Sequence, residues 1–329
     1  MRAPGFWQNT PTQPGWQARL LAPLSALYAY GTARRLRQQA AISPDCPTIC
    51  VGNLNVGGTG KTPTVIALID LLQHRRVHVV SRGYGGRETG PLQVNERTHK
   101  AADVGDEPLL ISAFAPTWVA QDRAAGVRAA QAAGADIILL DDGFQNPSVA
   151  KTLSIIVVDA SLGFGNGRVL PGGPLREPVK TGLKRADFVL SIGDPAAQDT
   201  FRKAWGPSIT IPHLTAQLEP LETGMDWRGQ RVMAFAGIGH PEKFFATLRG
   251  LGADLIRAEA LSDHQPLTDA LMKRLEIEAM ALSAQLVTTE KDAVRLPTSF
   301  RQKVLTLPVR LRFDDEQALK TAFSHLTLP

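Results

Sequence analysis

The chain has 329 residues, of which 43% are hydrophobic and 20% charged, an ordinary composition for a soluble globular protein with one large domain or two smaller ones. No apolar run approaches the roughly 18 residues that a membrane-spanning helix requires, and the N-terminus lacks the continuous apolar core of a signal peptide. Two cysteines, Cys46 and Cys50, are too few for a disulfide framework or a cysteine metal site.

The net charge of +5 arises entirely in residues 1–44, which contain five arginines and no acidic residue. Removing these five from the 36 basic residues leaves 31, which equals the 31 acidic residues. Because the rest of the chain is neutral and has no basic stripe, nucleic acid is not expected as a partner.

The same N-terminal segment carries an apolar stripe at helical spacing, formed by Leu20, Leu24 and Leu27, and arginines follow its end. This pattern is typical of an amphipathic helix on an anionic membrane surface. A helix packed on the protein's own core is the alternative, and Pro23 weakens a single straight helix. The residues alone leave both interpretations open.

The glycine-rich segment 55–62 lies between an apolar run, 48–51, and an apolar-periodic stretch, 63–72. Strand, glycine loop and helix in this order predict a P-loop, in which backbone N–H groups at a helix N-terminus surround the phosphates of a nucleoside triphosphate. Lys61 would bridge the β- and γ-phosphates, and the Thr62 hydroxyl would contact Mg²⁺. The predicted nucleotide-binding residues are Asn55, Val56, Gly57, Gly58, Thr59, Gly60, Lys61 and Thr62, with Asn55 in place of the usual glycine.

Apolar runs that alternate with helical stretches follow the P-loop. They predict a mostly parallel sheet with helices on both faces, whose ligand sites form where the strands end. The predicted strands of this sheet are 48–51, 77–81, 118–120, 135–142, 153–159 and 186–192.

A second alternation of strands and helices, from 231 to 289, predicts a second, smaller α/β unit. A Gly- and Pro-rich loop at 160–180 and a candidate linker near 194–230 precede it. The predicted domains are an N-terminal membrane-associating segment, 1–44, a P-loop domain, 45–220, and a second α/β domain, 221–329.

Three further groups of residues carry candidate chemistry. Asp141 and Asp142 end a buried strand, as the Mg²⁺-holding carboxylate of a P-loop protein does. Asp106 lies in the sequence Gly-Asp-Glu-Pro, and His264 lies in an Asp-His pair. Each has two interpretations: Asp106 would be a base acting on a sugar hydroxyl with His264 as its partner, or both segments would serve in ordinary helix capping. The segment 289–292 would line a nucleotide pocket or form a solvated turn.

Together these motifs resemble the tetraacyldisaccharide 4′-kinase family, the lipid A 4′-kinases of Gram-negative bacteria. The resemblance covers nearly the whole chain and depends on the order and joint presence of the motifs. They are Val51–Asn53, Gly57–Pro63, Ser81–Gly85, Gly105–Pro108, Asp141–Gln145, Gly163–Gly167, Leu170–Glu177, Phe235–Gly239, Asp263–His264 and Thr289–Asp292.

The resemblance implies transfer of the γ-phosphate of ATP to the 4′-hydroxyl of a tetraacyldisaccharide 1-phosphate, which gives lipid IV-A. The implied fold is a P-loop NTPase-like, mostly parallel α/β sheet with a second smaller α/β domain and an N-terminal amphipathic helix. The implied partners are the lipid disaccharide substrate and the inner-membrane surface, at whose cytoplasmic face the protein would be peripheral; no obligate protein partner is evident.

The resemblance also implies roles for individual residues. Asp106 would be the catalytic base, coupled to His264, with Lys61 as the third catalytic residue. The magnesium region would contain Thr62, Asp141, Asp142 and Glu107, and Arg82 and Arg176 would be available to phosphate groups.

The chain departs from the family pattern at Asn146, Lys151 and Gln265, which affects expected local contacts more than the reaction class. The main alternative function is a P-loop switch or positioning ATPase, but such proteins often carry a lysine at the position of Val56. A GTPase is disfavoured because 289–292 lacks the Asn-Lys-x-Asp pattern.

Overall fold

The computed structural model describes residues 3–326, which form two sheets and the helices around them. The helices are α1 (Trp16–Leu20), α2 (Ala22–Leu36), α3 (Lys61–Leu71), α4 (Ala101–Val104), α5 (Asp106–Ile111), α6 (Arg123–Ala132), α7 (Val179–Leu183), α8 (Pro195–Trp205), α9 (Pro241–Gly250), α10 (Asp269–Ala281), α11 (Glu290–Ala293), α12 (Thr298–Arg301) and α13 (Gln317–Ser324). The strands are β1 (Thr48–Gly52), β2 (Val77–Ser81), β3 (Leu92–Gln93), β4 (Thr117–Val119), β5 (Ile137–Asp141), β6 (Leu153–Asp159), β7 (Phe188–Ile192), β8 (His213–Pro220), β9 (Arg231–Ala236), β10 (Asp254–Ala260), β11 (Gln285–Thr289), β12 (Val304–Leu307) and β13 (Val309–Phe313).

The first sheet has nine strands in the order β13-β8-β7-β6-β1-β5-β2-β4-β3 within the described residues. Only the edge strands β13 and β3 pair in antiparallel fashion; the inner strands are parallel. Strands β1, β5 and β6 are buried along their whole length because apolar clusters cover both faces of the sheet. The predicted P-loop NTPase-like α/β fold is confirmed.

The position of β1 decides where the site forms. It lies between β5 and β6, with Val51 in register with Asp141 on one side and with Ile155 on the other. The loop that follows β1 therefore emerges beside Asp141 and near the end of β6, at Asp159. Parallel strands bring these ends to one edge of the sheet.

The predicted linker at 194–230 is wrong, because this segment contains α8 and β8 of the first sheet. Asp194 caps α8 by accepting a hydrogen bond from the Ala197 N–H at 2.8 Å. Phe201 and Trp205, one helical turn apart, are buried against the sheet. The polar and proline residues of the segment cap and bound ordered elements rather than form a linker.

The second sheet has four parallel strands in the order β10-β9-β11-β12. Apolar residues pack on both of its faces, as expected for a small α/β unit. The chain then returns: β13 pairs with β8, and Leu319 of α13 joins the core of the first sheet. The predicted second domain, 221–329, thus includes β13 and α13, which belong to the first sheet and its core.

The predicted N-terminal stripe is divided between two helices, α1 and α2, which meet at Leu21. Pro23 lies in the first turn of α2, where proline is tolerated because that N–H has no helical acceptor. The side chains of Leu20 and Leu27 are 71% and 68% exposed, so the stripe does not pack on the protein's core. Arg2, the first of the five N-terminal arginines, lies outside the described residues.

Among residues 3–326, none of the helices combines the length and apolar character needed to cross a bilayer, as the sequence predicts.

Candidate active site

The predicted P-loop connects β1 to α3, and side-chain amides hold its shape. Asn53 Nδ2 donates to the Gly57 carbonyl at 3.3 Å and to Thr59 Oγ1 at 3.2 Å. Asn55 Nδ2 donates to the Gly163 carbonyl at 3.0 Å, so the departure at the first loop position anchors the loop to the segment after β6. Asn53 was not among the predicted site residues, although it lies at a strand end that the sequence identifies.

The glycines of this loop adopt conformations that a side chain would oppose. Gly57 and Gly60 have φ of 111° and 95°, and Gly60 precedes the first helical residue, Lys61. A Cβ added at Gly57 or Gly58 would meet nothing within 4 Å, which leaves open space above the loop. Such an open loop at the N-terminal end of a helix is the arrangement that binds phosphate groups.

Lys61 reaches the predicted metal-holding strand end. Its Nζ lies 3.8 Å from Asp142 Oδ1. Asp142 also accepts hydrogen bonds from Arg176 Nη1 at 2.9 Å and Nη2 at 3.3 Å. Asp141 lies beside it and accepts a hydrogen bond from Ser81 Oγ at 3.0 Å. Two carboxylates, a lysine and an arginine therefore gather at the P-loop.

The two neighbouring carboxyl groups have opposite pKa shifts. Burial raises the pKa of Asp141, and the nearby Lys61 charge only partly opposes this. Burial also acts on Asp142, but the charges of Lys61 and Arg176 outweigh it and hold that pKa below its usual value. Asp142 has φ of 53°, a backbone conformation uncommon outside glycine, which turns its side chain toward these cations.

Asp106 and His264 meet across the two units. Asp106 is the first residue of α5 and is buried, whereas His264 lies in the loop after β10 of the second sheet. His264 Nδ1 lies 3.0 Å from Asp106 Oδ2 and 3.2 Å from Oδ1. The helix-capping alternative for His264 is wrong: α10 begins only at Asp269, with Thr268 as its N-cap.

The contact shifts the pKa values of both groups. Burial raises the pKa of Asp106, but hydrogen bonds from His264 and within the carboxyl pair with Glu107, together with the Lys291 charge, bring it below its usual value. The hydrogen bond to Asp106 is the main reason that the pKa of His264 is raised. An anionic Asp106 that accepts from His264 Nδ1–H is the form that these shifts favour.

Glu107 and Lys291 complete this cluster. Lys291 Nζ lies 2.7 Å from Glu107 Oε1 and 3.4 Å from His264 Nε2. Burial raises the pKa of Glu107, whereas the Lys291 pKa is also raised because adjacent carboxylates outweigh its own desolvation. The solvated-turn alternative for 289–292 is wrong, since Asp292 is fully buried and Lys291 points into the site.

Two further contacts bring the second unit over the P-loop. A Cβ added at Gly239 would lie 3.8 Å from the Gly58 nitrogen. Lys243, in the first turn of α9, pairs with Asp159 at 2.6 Å. The P-loop, the Asp141 strand end and the Asp106–His264 pair therefore lie in one cleft between the units. The sequence identified each group but not the Lys243–Asp159 contact, which has no local signature.

The family profile described as LpxK, tetraacyldisaccharide-1-P 4′-kinase, matches residues 17–327. A tetraacyldisaccharide 4′-kinase of Dinoroseobacter shibae is 62% identical over 99% of this chain and 98% of its own length. One of Jannaschia sp. is 62% identical over 98% of both chains.

A solved structure agrees with these sequence matches. The crystal structure of LpxK from Aquifex aeolicus in complex with ATP is 27% identical to this chain and superimposes with a TM-score of 0.77. The match covers 94% of this chain and 99% of that one, so it includes both units.

Proposed function

Because the chain belongs to the tetraacyldisaccharide-1-P 4′-kinase family, we propose that its inter-unit cleft transfers the ATP γ-phosphate with Asp106 as general base. The chain is an ATP-dependent tetraacyldisaccharide 4′-kinase, a phosphotransferase of lipid A biosynthesis. The assignment of Asp106 as the general base depends on one observation: its 3.0 Å contact with His264 of the second unit.

In this mechanism the P-loop holds the triphosphate. Backbone N–H groups of residues 57–62, at the N-terminus of α3, bind phosphate oxygens, whereas the Val56 N–H donates to the Pro174 carbonyl at 2.8 Å. The Lys61 ammonium neutralises charge at the transferring group. Lys61 now faces Asp142 at 3.8 Å, a loose contact from which it reaches a phosphate at little cost. Arg176, which also pairs with Asp142, is a second cation beside the phosphates.

Asp106 takes the proton from the attacking 4′-hydroxyl. Its lowered pKa keeps the carboxylate ionised before the reaction, and the hydrogen bond from His264 Nδ1–H holds the carboxylate in place. Lys291 Nζ lies 3.4 Å from the other ring nitrogen, Nε2, and can donate to it when the imidazole is neutral, which leaves the ring proton on Nδ1. The second unit thus sets the orientation of a base that belongs to the first.

The residues beside the P-loop fit a magnesium ion. Mg²⁺ prefers oxygen ligands, and the Thr62 hydroxyl and the Asp141 and Asp142 carboxylates supply them. Asp141 accepts only one hydrogen bond, from Ser81, among the described residues, which leaves carboxylate lone pairs available. When bound, the ion would neutralise charge on the β- and γ-phosphates. Glu107 is held by Lys291 and has the weaker claim to this role.

One assay separates transfer to lipid from the alternative of a P-loop switch or positioning ATPase. Purified protein is incubated with γ-³²P-labelled ATP, Mg²⁺ and a tetraacyldisaccharide 1-phosphate in mixed micelles. We expect the label on the lipid, with little free phosphate, and loss of the product when the 4′-hydroxyl is replaced by hydrogen. Label released only as inorganic phosphate would contradict the proposal.

We also propose that α1 and α2 attach the enzyme to the cytoplasmic face of the inner membrane. The exposed side chains of Leu20, Leu24 and Leu27 form an apolar stripe, and the arginines at the end of α2 follow it. Apolar burial combined with attraction to anionic lipids is how such a helix binds a membrane surface.

Vesicle flotation tests the membrane assignment. Replacing Leu20, Leu24 and Leu27 by glutamine should abolish binding to vesicles that contain phosphatidylglycerol. The matched control replaces two exposed apolar residues of α10, Ile277 and Met280, by glutamine and should bind as the unaltered protein does. Equal flotation of the triple variant would remove α1 and α2 from membrane attachment.

A further inference from the structure

Arg295 lies between the two catalytic partners without belonging to either motif. Its side chain is only 10% exposed. Nη1 donates to the Gln265 carbonyl, directly after His264, at 2.9 Å. Nε lies 3.9 Å from Asp106 Oδ2 and has no hydrogen-bond partner among residues 3–326. One guanidinium therefore touches the loop that carries the histidine and faces the carboxylate of the other unit.

Asp292 holds this guanidinium in place. It is fully buried, pairs with Arg295 Nη2 and accepts a hydrogen bond from Thr289 Oγ1 at 2.7 Å. Both of its oxygens lie 3.1 Å from the Gly237 nitrogen. The pair is thus fixed to the end of β9 and to the start of α11.

The loop that carries His264 is held by contacts with this pair. His264 has φ of 57°, which a non-glycine residue adopts at a cost that the surroundings must offset. Its backbone N–H donates to the Gly237 carbonyl at 3.2 Å, and the following carbonyl accepts from Arg295. Gly237 and Arg295, both bound by Asp292, therefore hold the strained residue from two sides.

From this network we infer that Arg295, fixed by Asp292, is a positioning residue that presents His264 to Asp106. A lysine cannot replace it, because a single ammonium cannot reach the Gln265 carbonyl, Asp292 and the vicinity of Asp106 together. The inference rests on the proposed roles of Asp106 and His264, and it adds a residue that acts through them. A purely structural ion pair would stabilise the second unit but would have no specific coupling to His264.

A double-mutant cycle distinguishes these two roles. Arg295→Lys, His264→Ala and the double variant are compared for kcat and for the KM of ATP. Substitutions of residues that orient a functional ligand typically cost about 10- to 100-fold; we expect such a loss of kcat for Arg295→Lys, with the KM of ATP changed by less than about threefold. In the His264→Ala background the same substitution should cost less than about threefold, because there is no imidazole left to position.

The matched control is Arg274→Lys. Arg274 belongs to the same unit, but its side chain is 41% exposed and its described partners are Glu259 and Glu278, which are not part of the cluster. It should leave kcat unchanged in both backgrounds. Thermal melting and ATP binding establish that each variant is folded. Should Arg295→Lys not fold, Asp292→Asn takes its place in the cycle, since an asparagine oxygen still accepts from Gly237 while the hold on Arg295 is weakened.

The possible failures are distinguishable. If His264→Ala alone leaves kcat unchanged, the proposed role of His264 is wrong and the inference is wrong with it. If His264→Ala lowers kcat but Arg295→Lys lowers it by the same factor in both backgrounds, the catalytic pair stands and the positioning role of Arg295 is overturned.

Discussion

Asp106→Asn is the most direct test of the proposed chemistry. Asparagine has nearly the same size as aspartate, and its side-chain oxygen still accepts a hydrogen bond from His264 Nδ1, now 3.0 Å from Oδ2. The contact between the units is therefore preserved. What the substitution removes is the ability of position 106 to take a proton.

The expected fall in kcat follows from the loss of this proton acceptor alone. A positioned general base contributes about 10²- to 10⁴-fold, which corresponds to about 2.7–5.5 kcal/mol of transition-state stabilisation. Asp106 is buried, and the neighbouring Glu107 carboxylate is paired with Lys291 at 2.7 Å, so it does not take over as the base. We expect kcat to fall by at least about 10²-fold, while ATP binding, which the P-loop provides, changes by less than about threefold.

The assay is transfer of ³²P from ATP to the lipid disaccharide, with ATP affinity measured separately by calorimetry. The control is Asp199→Asn, an exposed carboxylate on α8 whose described partner is Arg202 at 2.9 Å; it should have normal kcat. A fall of kcat below about tenfold for Asp106→Asn would be too small for a general base and would refute the assignment.

Three further outcomes follow from other parts of the molecule. Lys61→Ala should lower kcat by at least about 10²-fold and weaken ATP binding, because a preorganised charge at the phosphates is removed; normal ATP turnover would contradict the P-loop assignment. Arg185→Met should lower the free energy of unfolding in urea by about 3 kcal/mol, because it leaves Glu177 as a buried charge without its partner. Glu177 is only 2% exposed and accepts hydrogen bonds from Arg185 at 2.6 and 2.7 Å. A loss below about 1 kcal/mol would show that water or Gln145 compensates. Cys46 and Cys50 should resist a thiol reagent in the native protein and react fully in denaturant, since both are buried and burial raises the Cys50 pKa to about 12; rapid native labelling would contradict the packing around β1.

The P-loop and the buried strands were predictable because their patterns are local. Residues 55–62 are contiguous, and a strand, glycines and a helix N-terminus suffice to form a phosphate site there. The strand ending in Asp141 and Asp142 is a continuous apolar run that can be recognised without knowing its neighbours. The segment 194–230 was misread because polar residues and prolines that cap α8 and bound β8 are the same residue types that occur in linkers.

The base and its partner show where sequence reasoning ends. Asp106 and His264 are 158 residues apart. The residues alone favoured helix capping at Asp106 and left the interpretation of His264 open. Only the resemblance to a family suggested that they act together. The roles of Lys291 and Arg295 were not predicted, since their surroundings come from both units.

The sequence by itself therefore determined that this protein holds a triphosphate on a parallel α/β sheet, because each feature required for that binding is encoded within a few consecutive residues. The tertiary structure alone decided which carboxylate meets a histidine and a buried arginine. That choice depends on how the second sheet packs across the cleft, where Gly239 approaches Gly58 and Lys243 pairs with Asp159, and no local pattern encodes the relative position of two separately formed sheets.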